Sequence, residues 1–174
     1  MVADVWFTAR PSDSIVVTLP KSGITWIKAL LYATTVHWRE NPADSTDHPF
    51  NFLGSHDCVK FLEYQLYTEN KIPDLEKLPD PRIFATHVPY MSLPRSTVAS
   101  GCKVVYVCRD PKDNLISLWD LANKFRVKNG QEPVPADTVT ELFCNGVSPF
   151  GPYWEHVLGY WNAHLLHPEQ VLFL

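Results

Sequence analysis

The chain has 174 residues, a formal net charge of −4 at pH 7, and 45% hydrophobic residues. This length fits a single domain, residues 1–174, with enough apolar residues to fill a globular core, and no run is long enough to span a membrane. The negative charge argues against nucleic acid or an anionic membrane surface as the main partner, but it allows a local basic pocket.

The first predicted elements are a strand, a tight turn and a helix. The β-branched run of residues 15–19 predicts a buried strand, and apolar residues at helical spacing over 26–33 predict the helix. The turn between them contains Lys21, two hydroxyls and Gly23, which lets the backbone approach a ligand closely. Because the first N–H groups of a helix lack intrahelical partners, this turn favours a phosphate-like anion. The alternative is an ordinary turn capped by Ser22.

Residues 41–56 form a polar segment, rich in Pro, Asp and His, that predicts a loop. Phe50 and Phe52 lie within it, and their side chains either line a hydrophobic ligand pocket or anchor the loop to the core. A short helix is predicted over 59–66, and the prolines that follow predict an irregular connection.

A second strand is predicted where a short apolar run beginning at Arg82 ends at His87 and is stopped by Pro89. A neutral imidazole near its unperturbed pKa of about 6.5 can act as a general base. The other six histidines are assigned to loops or helix surfaces, so His87 is the best candidate base. The alternative is a purely structural histidine at the end of a strand.

A third buried strand is predicted over residues 103–108, and the start of a helix follows at once. Asp110 suits the N-cap position and Pro111 the first helical position. Arg109 stands beside this helix start and Ser117 lies about two turns into the helix, and a guanidinium and a hydroxyl converging there suit a phosphate group. Alternatively, Arg109 only pairs with a nearby carboxylate such as Asp110.

Three strand-like runs therefore end in a candidate functional residue: Lys21, His87 and Arg109. The segments between them are long enough for crossover helices, so a parallel sheet is predicted. Because ligands bind outside the carboxyl ends of the strands in such a sheet, one edge would gather all three side chains. Residues 170–174 predict a fourth strand.

Four segments together resemble the cytosolic sulfotransferases, in particular the plant soluble, flavonol- or steroid-type branch. Residues 20–26 are similar to the 5′-phosphosulfate loop, residues 85–90 to the segment with the catalytic histidine, and residues 109–117 to the 3′-phosphate site. Residues 146–161 are similar to a plant-type signature on a helix near the substrate. The resemblance implies an α/β fold, a three-layer sandwich around a central parallel sheet with a P-loop-like phosphate site.

The resemblance also implies a reaction: transfer of a sulfuryl group from 3′-phosphoadenosine 5′-phosphosulfate (PAPS) to a hydroxyl of a small hydrophobic acceptor, phenolic, flavonoid or steroid-like, without a metal. His87 would remove the hydroxyl proton, and Lys21 would stabilise charge on the bridging oxygen. Trp26 would stack on adenine, while Arg109 and Ser117 would hold the 3′-phosphate. The implied cofactor-binding residues are Lys21, Ser22, Gly23, Ile24, Thr25, Trp26, Arg109 and Ser117. The candidate acceptor contacts are Phe50, Phe52 and Tyr90.

The chain departs from the family pattern in two ways. Ile24 replaces the usual threonine, which removes one hydroxyl from the loop and is expected to cost about 1 kcal/mol of cofactor binding. Relatives have more chain at both ends, including the 3′-phosphate clamp and the dimerisation motif, so a partial fold, incomplete at both ends, is expected. The alternative function is a catalytically inactive truncated fragment that binds the nucleotide weakly or not at all. A third hypothesis for the function is a nucleotide-dependent kinase. The absence of a Walker loop argues against it.

The four cysteines show neither metal-ligand nor disulfide-scaffold spacing. They are expected to be reduced thiols, and a cytoplasmic location is expected, in agreement with the resemblance. The expected partner is a small-molecule hydroxyl acceptor, with neither nucleic acid nor membrane.

Overall fold

A computed structural model describes residues 7–37, 49–64, 75–78 and 80–174. In these ranges the strands are β1 (Ser14–Thr18), β2 (Lys60–Phe61), β3 (Ile83–Thr86), β4 (Lys103–Val107) and β5 (Val171–Phe173). The α-helices are α1 (Ile24–Tyr32), α2 (Ser55–Cys58), α3 (Arg95–Ser100), α4 (Pro111–Lys128), α5 (Ala136–Cys144) and α6 (Tyr153–Leu166). A π-helical turn, Ala33–His37, continues α1.

The strands form one parallel sheet in the order β2-β3-β1-β4-β5, which confirms the predicted parallel sheet. β1 is central and begins with Ser14 opposite both Ile83 of β3 and Lys103 of β4. Because every strand runs in the same direction, all carboxyl ends lie at the same edge of the sheet. The turns after β1, β3 and β4 therefore meet at that edge.

One predicted element is wrong. The segment beginning at Val59 was predicted to be a short helix, but Lys60–Phe61 forms β2 and pairs with Phe84 and Ala85 of β3. Val59 and Phe61 are buried while Lys60 between them is exposed, which is the alternation of a half-buried strand. β5 is consequently the fifth strand rather than the fourth. The predicted residues 65 and 66 lie outside the described residues.

Apolar clusters on both faces of the sheet produce the predicted three layers. On one face, Ile15 and Val17 of β1 pack in a cluster that includes Tyr160 of α6. On the other face, Val16 packs in a cluster that includes Ile24 of α1. Neighbouring residues of β1 therefore serve opposite faces, because side chains alternate along a pleated strand.

A buried ion pair holds the amino-terminal edge of the sheet. The carboxylate of Asp13, just before β1, accepts hydrogen bonds from Arg82 Nε at 2.8 Å and Nη2 at 2.5 Å, and both side chains are fully buried. Arg82 also donates to the Thr8 and Leu75 carbonyls. The pair thus fastens the segment before β1 to the start of β3, at the opposite end of the strands from the candidate site.

Neither a membrane-spanning helix nor a metal-binding cluster is found among the described residues. None of the helices there is both long and apolar enough to cross a membrane. The same residues contain no group of three His, Cys, Asp or Glu side chains arranged to hold a metal ion. The four cysteines, which all lie in this part of the chain, are free thiols.

Candidate active site

The turn between β1 and α1 has a backbone shape suited to an anion. Lys21 and Gly23 lie in the left-handed region, with φ of 70° and 94°. Gly23 is the N-cap of α1 and no side chain caps it, so the first helical N–H groups remain for another acceptor. A Cβ added to Gly23 would meet no atom within 4 Å, which leaves space for a ligand over the turn. These features fit a phosphate or sulfate group at the helix N-terminus.

Asn114 holds this turn in place from α4, although it was not among the sequence candidates. Its side chain is fully buried, and its Nδ2 donates to the Pro20 carbonyl at 2.8 Å and to Ser22 Oγ at 3.0 Å. Its Oδ1 is buried without a hydrogen-bond partner among the described residues. The available signal was a polar residue three positions before Ser117, on the same face of a helix.

Arg109 follows β4 and reaches the same turn. Its Nη1 donates to the Lys21 carbonyl at 3.1 Å, and its Nη2 lies 3.6 Å from the Asp113 carboxylate. The side chain is 41% exposed, which leaves donors accessible to a ligand. The Tyr153 hydroxyl donates to the Arg109 carbonyl, and Asp110 caps α4 as predicted, accepting from the backbone of Asp113. The guanidinium is therefore both close to the turn and next to a carboxylate.

The remaining cofactor candidates differ in exposure. Trp26 is 82% exposed on α1, so its ring is open to stacking rather than part of the core. Thr25 is also exposed, with Oγ1 3.3 Å from His56 Nε2, and Ser117 is half-buried on α4. Ile24, by contrast, is buried in the apolar cluster beneath the turn, so only its backbone N–H can serve a ligand.

His87 directly follows β3, and its side chain is buried. Its Nδ1 lies 2.6 Å from the Thr18 carbonyl at the end of β1. Because a carbonyl only accepts, the proton is on Nδ1 and the lone pair on Nε2. Burial lowers the pKa of His87 from 6.5 to about 4, and the charge of Lys28 acts in the same direction, although the bond to Thr18 opposes them. The pKa is thus well below the value expected from the sequence, and the imidazole is neutral at neutral pH.

Three aromatic rings surround the His87 imidazole. The ring centroids of Phe61, Phe150 and Tyr64 lie 4.9, 5.4 and 6.3 Å from that of His87. Phe150 has a φ of 67° and Gly151 a φ of 97°, so two left-handed residues shape the turn that places the Phe150 ring there. This aromatic wall accounts for the burial that lowers the pKa of His87.

An apolar cavity of about 350 Å³ opens beside the aromatic wall. Tyr64 and Phe150 line it, as does Pro20 next to Lys21, while α4 and α5 supply most of the remaining lining, including Leu118 and Leu142. Its volume is within the range of small-molecule sites. The cavity therefore lies beside the turn after β1 and two helices, and the rings of Tyr64 and Phe150 stand between it and His87, which does not line it.

The three candidate acceptor contacts lie outside the lining of this cavity. The Phe50 ring packs 5.4 Å from Tyr32, Phe52 is 77% exposed, and the Tyr90 ring packs 5.5 Å from Tyr160. Their role in acceptor binding stays a prediction.

Lys28 on α1 is buried beneath the site and was also not among the sequence candidates. Its ammonium lies 3.5 Å above the Phe61 ring and 3.1 Å from His56 Nδ1. Burial lowers the pKa of Lys28 from 10.5 to about 7, although the Glu63 carboxylate acts in the opposite direction. Both charge states of Lys28 are consequently populated at neutral pH.

Sequence comparison links the chain to one family. The sulfotransferase domain matches residues 11–174. Two Arabidopsis thaliana proteins, cytosolic sulfotransferases 15 and 14, are 45% and 44% identical to the chain. Each match covers 97% of this chain and 47% or 49% of the relative. The chain thus spans about half the length of the curated relatives it matches.

Solved structures share the fold. A putative steroid sulphotransferase of Arabidopsis thaliana, 40% identical, matches with a TM-score of 0.87 over 99% of this chain and 58% of that chain. A mouse sulfotransferase complexed with PAP, 25% identical, matches with a TM-score of 0.64 over 99% of this chain and 53% of that chain.

Proposed function

The chain belongs to the sulfotransferase family, and from this premise we propose that it binds PAPS and contains the base for sulfuryl transfer. The proposed acceptor is a hydroxyl of a small hydrophobic molecule, phenolic, flavonoid or steroid-like, and the proposed location is the cytoplasm. One observation carries the proposal: a buried, neutral His87 lies at the same sheet edge as the left-handed turn with Lys21, and the rings of Tyr64 and Phe150 separate it from an apolar cavity.

The turn after β1 supports binding of the anionic end of PAPS. Backbone N–H groups at the start of α1, the Lys21 ammonium and the Ser22 hydroxyl provide donors there. Arg109, after β4, and Ser117, on α4, would bind the 3′-phosphate, and the exposed Trp26 would stack on adenine. The relative complexed with PAP supports a ligand of this kind.

The geometry of His87 supports its role as general base. Because the Thr18 carbonyl holds the proton on Nδ1, the lone pair of Nε2 is available to take the acceptor's hydroxyl proton. A base with a pKa of about 4 is weak, so the proton is expected to transfer as the new bond to sulfur forms and the hydroxyl becomes acidic. Lys21 would stabilise the negative charge on the bridging oxygen, which leaves with the nucleotide.

The cavity supports an apolar acceptor. An acceptor whose hydroxyl points toward His87 would place its apolar body between Tyr64, Phe150 and the helices α4 and α5. Ala122 lines the cavity from α4 on its exposed side, so Ala122→Phe should narrow the cavity without disturbing the core. We expect this variant to raise the KM for the acceptor and to leave nucleotide binding unchanged.

Calorimetric titration with adenosine 3′,5′-bisphosphate, with ATP in parallel, tests the nucleotide site. We expect micromolar binding of the bisphosphate and none of ATP. If the folded chain binds neither ligand, the proposed site is refuted, and a preference for ATP would favour a kinase instead.

Transfer from radiolabelled PAPS to phenolic and steroid acceptors tests the chemistry. His87→Ala should abolish transfer while leaving bisphosphate binding intact, and His167→Ala, a histidine beyond α6, serves as the control. Turnover that persists in His87→Ala would refute the base assignment. Nucleotide binding without any transfer would support the alternative of a catalytically inactive chain.

A further inference from the structure

The helix α6 carries a second buried histidine, which the sequence had assigned to a loop or helix surface. His156 is 1% exposed, with Nε2 3.0 Å from the His87 carbonyl oxygen and Nδ1 3.0 Å from the Tyr106 hydroxyl. Since the carbonyl only accepts, His156 Nε2 carries the proton and Nδ1 accepts from Tyr106. Burial also lowers the pKa of His156, in keeping with a neutral ring.

The peptide that follows β3 is held from several sides. From α6, the Tyr160 hydroxyl donates to the Val88 carbonyl at 2.8 Å, one residue beyond the bond that His156 makes. The backbone N–H of His87 donates to Glu63 Oε1 at 2.6 Å, and its Nδ1 donates to the Thr18 carbonyl. Hydrogen bonds with α6, with the end of β1 and with Glu63 beyond β2 therefore fix the backbone and ring of His87. The Nε2 atom of His87 is left for chemistry.

We propose that His156 is a positioning residue for His87, an inference that rests on the proposed sulfuryl transfer. By anchoring the His87 carbonyl, His156 prevents the rotation of this peptide that would turn the imidazole away from the acceptor hydroxyl. His156 is buried and does not line the cavity, so it acts through His87 alone. A displacement of about 1 Å at a reacting group costs about 100-fold in rate, so a single buried bond is enough to matter.

A merely structural histidine would behave differently. If His156 only satisfied two buried polar groups, its loss would lower stability but leave the turnover of folded molecules unchanged. Two substitutions separate these roles. In His156→Gln the side-chain amide can still donate to the His87 carbonyl, whereas His156→Leu keeps the volume and loses the donor.

Steady-state kinetics of the 174-residue chain test the proposal. We expect His156→Leu to lower kcat about 100-fold, with the acceptor KM and the Kd for bisphosphate unchanged, and His156→Gln to recover most of the loss. His164→Leu is the matched control, because His164 lies on the same helix and bonds to the Val171 carbonyl at 2.7 Å away from the site. An unchanged kcat in His156→Leu, or equal losses in the Leu and Gln variants, would overturn the proposal.

Nitrogen NMR of the His87 ring tests positioning without turnover and so separates it from the proposed function. In the wild type we expect the His87 proton on Nδ1. In His156→Leu we expect a mixture of the two tautomers of His87, and in His156→Gln we expect the wild-type tautomer alone. Unchanged His87 signals in His156→Leu would overturn the positioning role even if the chain transfers sulfuryl groups. A wild type without transfer, but with the expected NMR response, would refute the proposed function and support the positioning.

Tyr106→Phe provides a second variant in case His156→Leu does not fold. It removes only the hydroxyl that holds His156 Nδ1. We expect a smaller loss of kcat than in His156→Leu and a minor second tautomer of His87. If Tyr106→Phe changes neither kcat nor the tautomer of His87, the proposal is overturned.

Discussion

The burial of His87 predicts a specific dependence of stability on pH. The pKa of His87 is about 4 in the folded chain, against an ordinary value of 6.5. Above pH 6.5 both states are neutral and stability is complete. As the pH falls through 6.5, the unfolded chain takes up a proton that the folded chain binds only near pH 4, so stability is lost across this window. One pKa unit is worth about 1.4 kcal/mol, which gives a loss of roughly 3 kcal/mol.

Urea unfolding of the wild type and of His87→Gln between pH 4 and pH 8 measures this contribution. The wild type should lose roughly 3 kcal/mol more than the variant as the pH falls from 6.5 to 4, because glutamine does not titrate. An NMR titration of the His87 ring in the folded chain checks the pKa directly. Parallel stability curves for the two proteins would refute the claim that the fold stabilises the neutral imidazole.

Three further substitutions test the fold and the loop. Asp13→Ala leaves the buried Arg82 guanidinium without its carboxylate and should lower the free energy of unfolding in urea by about 3 kcal/mol or more; an unaltered midpoint would contradict this. Asn114→Ala should weaken bisphosphate binding about tenfold in calorimetry, whereas Asn123→Ala, which loses its bonds at the far end of α4, should lower stability alone. Equal affinities in the two variants would exclude a role of Asn114 in binding. Ile24→Thr buries a hydroxyl in the apolar cluster and should destabilise the chain by about 1–2 kcal/mol; tighter bisphosphate binding in this variant would show that the side chain reaches the ligand.

Local patterns predicted much of this fold. The strand-like runs at β1, β3 and β4 and the cap at Asp110 depend on neighbouring residues only, and all of them are confirmed. Family membership was recognisable for a related reason, because each motif is contiguous. The roles of His87, Lys21 and the other site residues stay predictions.

The missed features depend on tertiary contacts. β2 has two residues, too few for a period to show, and its pairing with Phe84 and Ala85 is decided by β3. His156 looks like any polar residue on an amphipathic helix, and only the position of α6 over Tyr106 buries it. The cavity is formed by segments distant in sequence, so its lining residue Leu142 carries no local signal.

If an anion binds at the turn after β1, the buried Lys28 makes that binding a proton-linked equilibrium. With a pKa of about 7, Lys28 exchanges between charged and neutral forms, and its partner His56 contacts Thr25 in the first turn of α1. An anion bound above α1 favours the charged form, so binding near neutral pH draws protons from solution. The heat measured for nucleotide binding would then include the ionisation heat of the buffer. Titrations in two buffers of different ionisation enthalpy would therefore count the protons taken up on binding.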